Sequence, residues 1–427
     1  MISVAVVGAG PSGVFAAAEL LKTPEASVDV LDRLPTPFGL VRYGVAPDHT
    51  RIKSVAKTMT RVLGDPRVRF LGNVEVGDVR QGATVDVPGL LDVYDAVLLA
   101  TGAPNSRRLG IPGESLVGNH AAGDIVSWYN GHPGSGEPLA TGSDVVTVIG
   151  AGNVSLDVAR ILLKGGAGLA DTDVSQAVLG ALDADPVREV HIVVRKGVTG
   201  TRFSVPELLE IERLAGVDIV VDEVDLALDV GERARYDSDR VVAQQVEVFR
   251  RWAERPPTDG GRRLRFWFGS RPVAIRGDGR VEEVVLEKAG VGTVELPTRA
   301  VIRSIGYLGQ PVDGVPFDPG SGTIPNDRGR VGPGLYVTGW AKRGPNGIIG
   351  TNKACAVETV RRLVADLAEA PSRSTRPGAP SLPGSTVVTW EGWQRIDAAE
   401  IALGTSEGRA RSKITELVRL LGIAATH

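Results

Sequence analysis

Ile2-Ser3-Val4-Ala5-Val6-Val7-Gly8-Ala9-Gly10-Pro11-Ser12-Gly13, followed by the helix-forming stretch Val14 to Lys22, reads as strand, glycine turn and helix. The strand is a continuous apolar run, the pattern of a parallel strand covered on both faces. In the turn, Gly8 permits the sharp reversal, Gly10 leaves room for a pyrophosphate against the backbone, and Gly13 lets the helix pack closely. The helix start then offers free N–H donors and partial positive charge to an anion. A second strand-like run, Val28 to Leu31, ends at Asp32, 19 residues after Gly13. A carboxylate there accepts hydrogen bonds from a ribose diol. The spacing therefore predicts a dinucleotide site.

The pattern returns later in the chain. Asp144 to Ile149 form another apolar strand, Gly150-Ala151-Gly152-Asn153-Val154-Ser155 a second glycine turn, and Val154 to Lys164 a second helix. The following strand, Val190 to Val194, ends not in an acid but in Arg195-Lys196-Gly197. Two cations suit a 2′-phosphate better than a neutral ribose, which predicts NADPH rather than NADH at this turn. Two more strand-like runs, Ala96 to Ala100 and Leu335 to Val337, each stop at Thr-Gly and mark the expected crossings between two units. Pro371 to Gly384 holds four prolines and reads as a linker. Beyond it, Trp390, Trp393, Ile396 and the run Ile414 to Leu421 read as an appendage, residues 385–427, packed on the body.

Composition narrows the function. With 427 residues the chain is long enough for two or three domains, and 54 glycines suit many tight strand-to-helix turns. Its 48 Lys+Arg against 51 Asp+Glu leave a net charge of −3, so no global basic field attracts nucleic acid or an anionic membrane. A single cysteine, Cys355, excludes an internal disulfide, a four-cysteine iron–sulfur cluster and a cysteine-rich metal site. Any electrons handled must sit on an organic cofactor, and no metal is expected. No apolar run reaches 18 residues, and the N-terminus lacks the basic start of a signal peptide, so a cytoplasmic protein without a membrane span is expected.

Beside the glycine turns stand Leu34-Pro35-Thr36-Pro37-Phe38-Gly39-Leu40-Val41-Arg42-Tyr43-Gly44-Val45-Ala46-Pro47-Asp48-His49 and, from Gly339, GWAKRGPNGIIGTNK. With GNVSLDVAR from Gly152, RKG from Arg195, FSVPELLE from Phe203 and VTWEGWQRIDAAE from Val388, these strongly resemble the adrenodoxin-reductase-like ferredoxin–NADP reductases. The resemblance spans nearly the whole chain. It implies an α/β fold of two three-layer Rossmann-like domains of glutathione-reductase-like type. An NADP domain, residues 106–324, would be inserted into a discontinuous FAD domain, residues 1–105 and 325–427.

The same resemblance implies roles for particular residues. Gly8, Gly10, Pro11, Gly13 and Asp32 would hold the FAD pyrophosphate and ribose; Leu40 would line the flavin, and Val74 or Val76 would touch the adenine. Trp340 and Gly347, Ile348 and Ile349 match the stretch that lies along the isoalloxazine. Gly150, Ala151, Gly152, Asn153, Val154, Arg195, Lys196 and Glu207 would bind NADP(H), with Arg107 a further candidate. His49 and Glu210 match positions close to the nicotinamide and flavin ring and are the catalytic candidates. Two departures bear on affinity: Asp32 is shorter than the Glu often found there, and Lys196 replaces a second Arg, exchanging a bidentate fork for a point charge.

Hydride transfer between nicotinamide and flavin needs no protein nucleophile, so positioning and exclusion of water supply the catalysis. The resemblance implies a separate ferredoxin-type iron–sulfur protein as acceptor, with an oxygenase such as a cytochrome P450 downstream, and a monomeric reductase. Such carriers are usually acidic, and the densest basic cluster is Arg250, Arg251, Arg255, Arg262, Arg263 and Arg265, read either as a docking patch or as a solvated helix and hairpin. A flavin monooxygenase and a flavin redox sensor without turnover are the competing functions, and a disulfide reductase fails for lack of a partner to Cys355.

Overall fold

The computed structural model describes residues 2–136, 144–256, 258, 261–347, 349–369 and 387–426. The proline-rich linker and Ile348 lie outside the described residues. The chain divides into two compact units. One holds residues 1–105, 130–134 and 307–427, the other 106–129 and 135–306.

The first unit is built on a six-stranded sheet in the order Arg330–Gly332, Leu335–Val337, Ala96–Leu99, Ile2–Val7, Ala26–Asp32, Val68–Gly72. All neighbours are parallel except the first pair. Alternate residues of the opening strand serve opposite cores. Val4 and Val6 join Val14, Ala17 and Leu20 of helix Pro11–Leu20 and Val360 and Leu363 of helix Ile349–Glu369. Ala5 and Val7 join Leu31, Leu90, Leu99 and Val337 on the other face. That double burial explains why the strand is apolar throughout rather than alternating. The helix expected from Val14 begins instead at Pro11, where proline's missing N–H costs nothing.

The second unit repeats the plan with a wholly parallel sheet ordered Asn119–Ala121, Ala300–Arg303, Val145–Ile149, Glu189–Val193, Arg262–Trp267, Val217–Val221. One face is covered by a three-stranded antiparallel sheet, Ser270–Arg276, Glu283–Lys288 and Gly292–Pro297. Its Ile275, Val284, Leu286 and Leu296 pack with Ile149, Val193 and Val301. Arg262, Arg263 and Arg265 thus lie on an inner parallel strand and not on a hairpin.

The return to the first unit falls at 307 rather than the expected 325. Residues after 307 already feed the first unit's core: Val315 and Ile324 pack with Leu99 and Val337, and Ile324 N donates to Ala341 O at 2.8 Å. Residues 130–134 join it too, because Lys413 Nζ donates to Asn130 O at 3.0 Å across 283 positions of sequence. No local pattern announces a contact of that span.

The appendage belongs to the first unit. Val388 bonds reciprocally to Gly72 at the sheet edge, and Trp393, Ile396, Ile414 and Leu420 enter the core from helices Trp390–Ser406 and Leu417–Ala425 and the segment between them. Glu400, with 0% of its side chain exposed, anchors it. One oxygen takes Arg42 Nη2 at 2.5 Å and Ile414 N at 3.0 Å, the other Arg411 Nη1 at 2.8 Å. Lys413 donates to the Arg42 carbonyl at 3.0 Å. Burial pushes the Glu400 carboxyl up, but Arg42 and these donors outweigh it and hold it below its ordinary value.

Because breaking a buried pair leaves an uncompensated charge, Glu400→Ala is expected to cost about 3–5 kcal/mol in urea unfolding. The depressed carboxyl makes the pair's stabilisation complete above the ordinary glutamate value of 4.5 and lost as pH falls through the native value. A wild-type chain whose stability is flat below pH 4.5, or a variant of unchanged stability, would remove Glu400 as the anchor.

Candidate nucleotide-binding sites

In the first unit the site forms where three chain segments meet the start of helix Pro11–Leu20. Gly8 has φ of +112°, and a Cβ there would stand 2.5 Å from Ala100 O at the end of the neighbouring strand. A Cβ at Gly13 would overlap the Gly8 carbonyl. These two glycines serve the protein's own packing. Gly10 does not: its φ is −75°, and a Cβ would meet nothing nearer than Gly39 Cα at 3.8 Å. The space above Gly10, at the end of a helix whose first N–H groups have no intrahelical acceptor, is open to an anionic ligand.

Pro37-Phe38-Gly39 folds back over this turn. Phe38 takes φ of +83° and donates its N–H to Ala9 O at 2.9 Å, with its ring edge-on to Trp393 at 5.6 Å. Gly39 has φ of +46°, and a Cβ on it would reach 2.9 Å from Gly10 Cα. Leu40, the first residue of helix Leu40–Tyr43, is 47% exposed and so available to a ligand. From the other side comes Thr338-Gly339-Trp340. Gly339 (φ +70°) lies so close to Ser12 that a Cβ would overlap its Oγ, and Cys355 Sγ accepts from Gly339 N at 3.3 Å. Cys355 is therefore a support for this loop. Trp340 stacks on Tyr307 with centroids 6.1 Å apart, and its buried Nε1 has no acceptor among the described residues.

Asp32 is half-buried at its strand end. Its Oδ2 accepts from Ala9 N at 2.8 Å and its Oδ1 from Leu34 N at 2.9 Å, so it braces the turn as well as facing the site. Burial raises its carboxyl from the ordinary value, against the pull of those two N–H groups and Arg33. Each oxygen keeps acceptor capacity for a diol. Val74 is buried and donates to the Asp32 carbonyl at 2.8 Å, while Val76 is half-buried. Gly347 has φ of +83° and Ile349 opens helix Ile349–Glu369. His49 is half-buried and N-caps helix Thr50–Lys53.

The second unit repeats the glycine geometry. A Cβ at Gly150 would overlap Ser304 O, at the end of the neighbouring strand, whereas one at Gly152 would meet nothing within 4 Å. Gly152 N-caps helix Asn153–Lys164, so Asn153 and Val154 provide its first two N–H groups. The Asn153 side chain is engaged with Ser204, accepting from its N at 2.8 Å and donating to its Oγ at 3.2 Å. That leaves Asn153's backbone N–H to face an anion. Arg195 and Lys196 are exposed and have no ion-pair partner among the described residues. Arg107 is also exposed, and its N donates to Gly306 O at 3.0 Å.

Helix Val205–Glu212 carries the remaining candidates, with Pro206 in its first turn. Glu207 lies 3.7 Å from Arg160 Nη1, a buried guanidinium also paired with Asp157 at 2.8 Å. Glu210 is partly exposed and pairs with Arg213 at 2.7 Å. The six clustered arginines are in a different state from Arg195 and Lys196. Arg250 pairs with Glu247, Arg251 and Arg255 with Glu212, Arg263 with Glu189, Arg265 with Asp222, and Arg262 donates to Leu163 O. Three carboxylates from other elements, Glu189, Glu212 and Asp222, and Glu247 on Arg250's own helix thus face a cluster that looks strongly basic along the chain.

Two site features escaped the sequence reading. The φ of +83° at Phe38 has no local cue, since it depends on Ala9 and Trp393. Tyr307, the stacking partner of Trp340, lies 33 positions earlier in a stretch without a motif.

The geometry defines a protein with two dinucleotide-type turns on two parallel sheets, and known proteins share it. The model of the pyridine nucleotide-disulphide oxidoreductase family matches residues 2–220. NADPH-ferredoxin reductase FprA of Mycobacterium tuberculosis is 43% identical, over 98% of each chain. Mitochondrial NADPH:adrenodoxin oxidoreductase of Arabidopsis thaliana is 37% identical, over 99% of this chain and 95% of that one. The solved structure of M. tuberculosis FprA in complex with NADPH superposes with a TM-score of 0.92 at 42% identity, covering both chains fully. The chain belongs to the pyridine nucleotide-disulphide oxidoreductase family, in the branch of the ferredoxin–NADP reductases of adrenodoxin-reductase type. It has no cysteine pair for disulphide chemistry.

The glycines separate by experiment. Gly13→Ala drives a methyl into the Gly8 carbonyl and is expected to lower the unfolding free energy by about 1–3 kcal/mol or more. Gly10→Ala and Gly152→Ala fill only open space, and their thermal midpoints should stay near the wild-type value. A large loss at Gly10 or Gly152 would mean that the protein itself needs that space.

Proposed function

We propose that this protein is a monomeric, cytoplasmic FAD-dependent ferredoxin–NADP(+) reductase, oxidising NADPH and reducing a ferredoxin-type iron–sulfur protein that serves an oxygenase such as a cytochrome P450. The observation that carries the reading is the pair of open cradles at Gly10 and Gly152, one beside a carboxylate able to accept from a diol and the other beside two cations without an ion-pair partner among the described residues. Among the described residues no helix is long and apolar enough to cross a membrane.

The first cradle fits FAD. Gly8, Gly10, Pro11 and Gly13 shape the pyrophosphate turn and Asp32 takes the ribose, with Val74 and Val76 at the adenine. Leu40, Trp340 and the Gly347-Ile348-Ile349 stretch line the flavin ring. The buried Trp340 Nε1 offers a donor to a ring heteroatom. The second cradle fits NADP(H): Gly150 to Val154 at the pyrophosphate, Arg195 and Lys196 at the 2′-phosphate, Glu207 and Arg107 at its rim. FAD held in the first cradle would supply hydride acceptance from the reduced nicotinamide and release of electrons one at a time. What the chain contributes is placement: Phe38-Gly39 and Thr338-Gly339 hold their loops against the glycine turn, and His49 and Glu210 orient the reacting rings. His49 and Glu210 modulate the rate rather than create it.

The docking face we assign to the acidic carrier is the arginine group Arg250, Arg251, Arg255, Arg262, Arg263 and Arg265. Its internal carboxylates leave only a modest positive excess, so electrostatic steering there is shallow.

Anaerobic titration with NADPH tests the whole reading: the purified yellow protein should bleach and then reduce a ferredoxin. A colourless chain that cannot be reconstituted with FAD would sink it. Arg195→Ala is expected to raise the KM for NADPH by about ten- to a hundredfold while leaving NADH nearly unchanged, as loss of a charged phosphate contact of about 1.5–3 kcal/mol requires. Equal effects on both nucleotides would remove Arg195 from the 2′-phosphate. Raising salt from about 50 to 300 mM should slow ferredoxin reduction a few-fold and leave ferricyanide reduction unaffected. An insensitive ferredoxin rate would move docking off the arginine group.

A further inference from the structure

We propose that Glu232 is a positioning residue for the nucleotide 2′-phosphate, holding the Arg195–Gly200 turn in the conformation that presents both cations. The inference rests on the NADPH reading of the second turn.

Glu232 sits at the third position of helix Val230–Ser238 in a capping box with Asp229, whose Oδ1 accepts from Glu232 N at 2.7 Å. A glutamate in that role ordinarily returns one oxygen to the cap N–H and leaves the other in water. Here Oε2 accepts from Asp229 N at 3.3 Å, but the residue is only 8% exposed. The Arg195–Gly200 turn covers it. Oε1 accepts from the buried Thr199 hydroxyl at 3.2 Å.

Gly197 explains itself through the same oxygen. Its φ is −66°, open to any residue, so no backbone strain calls for glycine. Instead, a Cβ at Gly197 would overlap Glu232 Oε1. With the carboxylate in its observed position there is no room for a Cβ at Gly197, so a side chain there would have to displace Glu232. The rest of the turn is equally closed. Gly200 N donates to Gly197 O at 3.0 Å, and a Cβ at Gly200 would meet Lys196 Cβ at 2.5 Å, so the lysine stem lies flat on Gly200. Both cations emerge from a backbone clamped on one side by the sheet, through Gly269 N to Lys196 O at 2.9 Å, and on the other by Glu232. Without the carboxylate, Thr199 and Gly197 lose their common partner and the cations lose a fixed origin.

The test measures equilibrium binding of NADP+, 2′-AMP and NAD+ to the FAD-loaded protein, with thermal unfolding alongside. Glu232→Ala should weaken NADP+ and 2′-AMP about tenfold and NAD+ less than twofold, the expected scale for a displaced positioning contact. Glu232→Gln keeps an oxygen for Thr199 and should retain nearly wild-type selectivity. Should Glu232→Ala fail to fold, Thr199→Val cuts the same link and must show a partial loss confined to the 2′-phosphorylated ligands. Equal weakening of all three ligands, unchanged selectivity in both Glu232→Ala and Thr199→Val, or a Gln variant as unselective as the Ala variant overturns the proposal. Arg195→Ala separates the two levels: if it alone is selective, only the role of Glu232 fails. If neither variant is selective, the NADPH reading fails and this inference with it.

Discussion

Close approach to glycine backbone, where no Cβ can stand, is the constraint on which the first site depends. Gly8 against Ala100, Gly13 against Gly8, Gly39 against Gly10 and Gly339 against Ser12 bring a strand end, a helix start and two distant loops within van der Waals reach. Each approach is closer than a Cβ allows. The loops they fix, Phe38 to Tyr43 and Thr338 to Trp340, arrive from positions about 300 residues apart. The left-handed Phe38 shows that the convergence is enforced. An aromatic residue pays of order 1–3 kcal/mol for such a backbone, and the Ala9 hydrogen bond, the Trp393 ring and the Arg42–Glu400 anchor beside it hold it there.

The second unit uses the same steric device and reverses the charge. Gly150 against Ser304 repeats Gly8 against Ala100, in both cases at the end of the strand beside the turn. Sheet order makes this recur: in each unit the glycine-bearing strand lies between its successor and a later strand, so connections leave to opposite sides and open a crevice at the carboxyl ends. What then distinguishes the crevices is the next strand's last residues. Asp32 is tied into its own turn by two N–H groups, whereas Arg195 and Lys196 have no ion-pair partners among the described residues and sit on a turn braced from beneath.

The parts legible in the sequence were those governed by local chemistry. Both strand–turn–helix units, the Asp32 and Arg195-Lys196 strand ends and the appendage's apolar residues follow from periodicity and residue type within a few positions. Features set by distant partners were not legible. The first unit reclaims residues 130–134 through Lys413, and the antiparallel sheet over the second unit has strands of mixed patterning. The arginine group is less basic than its stretch of sequence suggests for the same reason. Along the chain Arg250 to Arg265 look like a basic field, yet Glu189, Glu212 and Asp222 come from elements tens of residues away. A linear count of charge cannot see a carboxylate brought in by folding.

That contrast gives a criterion for separating structural from functional groups within one chain. Folding uses charge by pairing it and uses glycine where a Cβ would collide. Glu400 and Gly13 satisfy their own structure in this way. Arg195, Lys196, Gly10 and Gly152 do not: among the described residues the cations have no ion-pair partner, and a Cβ at either glycine would meet nothing nearer than 3.8 Å. Gly10 and Gly152 both N-cap their helices, where glycine is a favoured residue, and no steric collision with the described residues calls for glycine at either turn. The deficits sit together, open space at a helix start beside uncompensated charge, and a phosphorylated dinucleotide is the class of molecule that fills both.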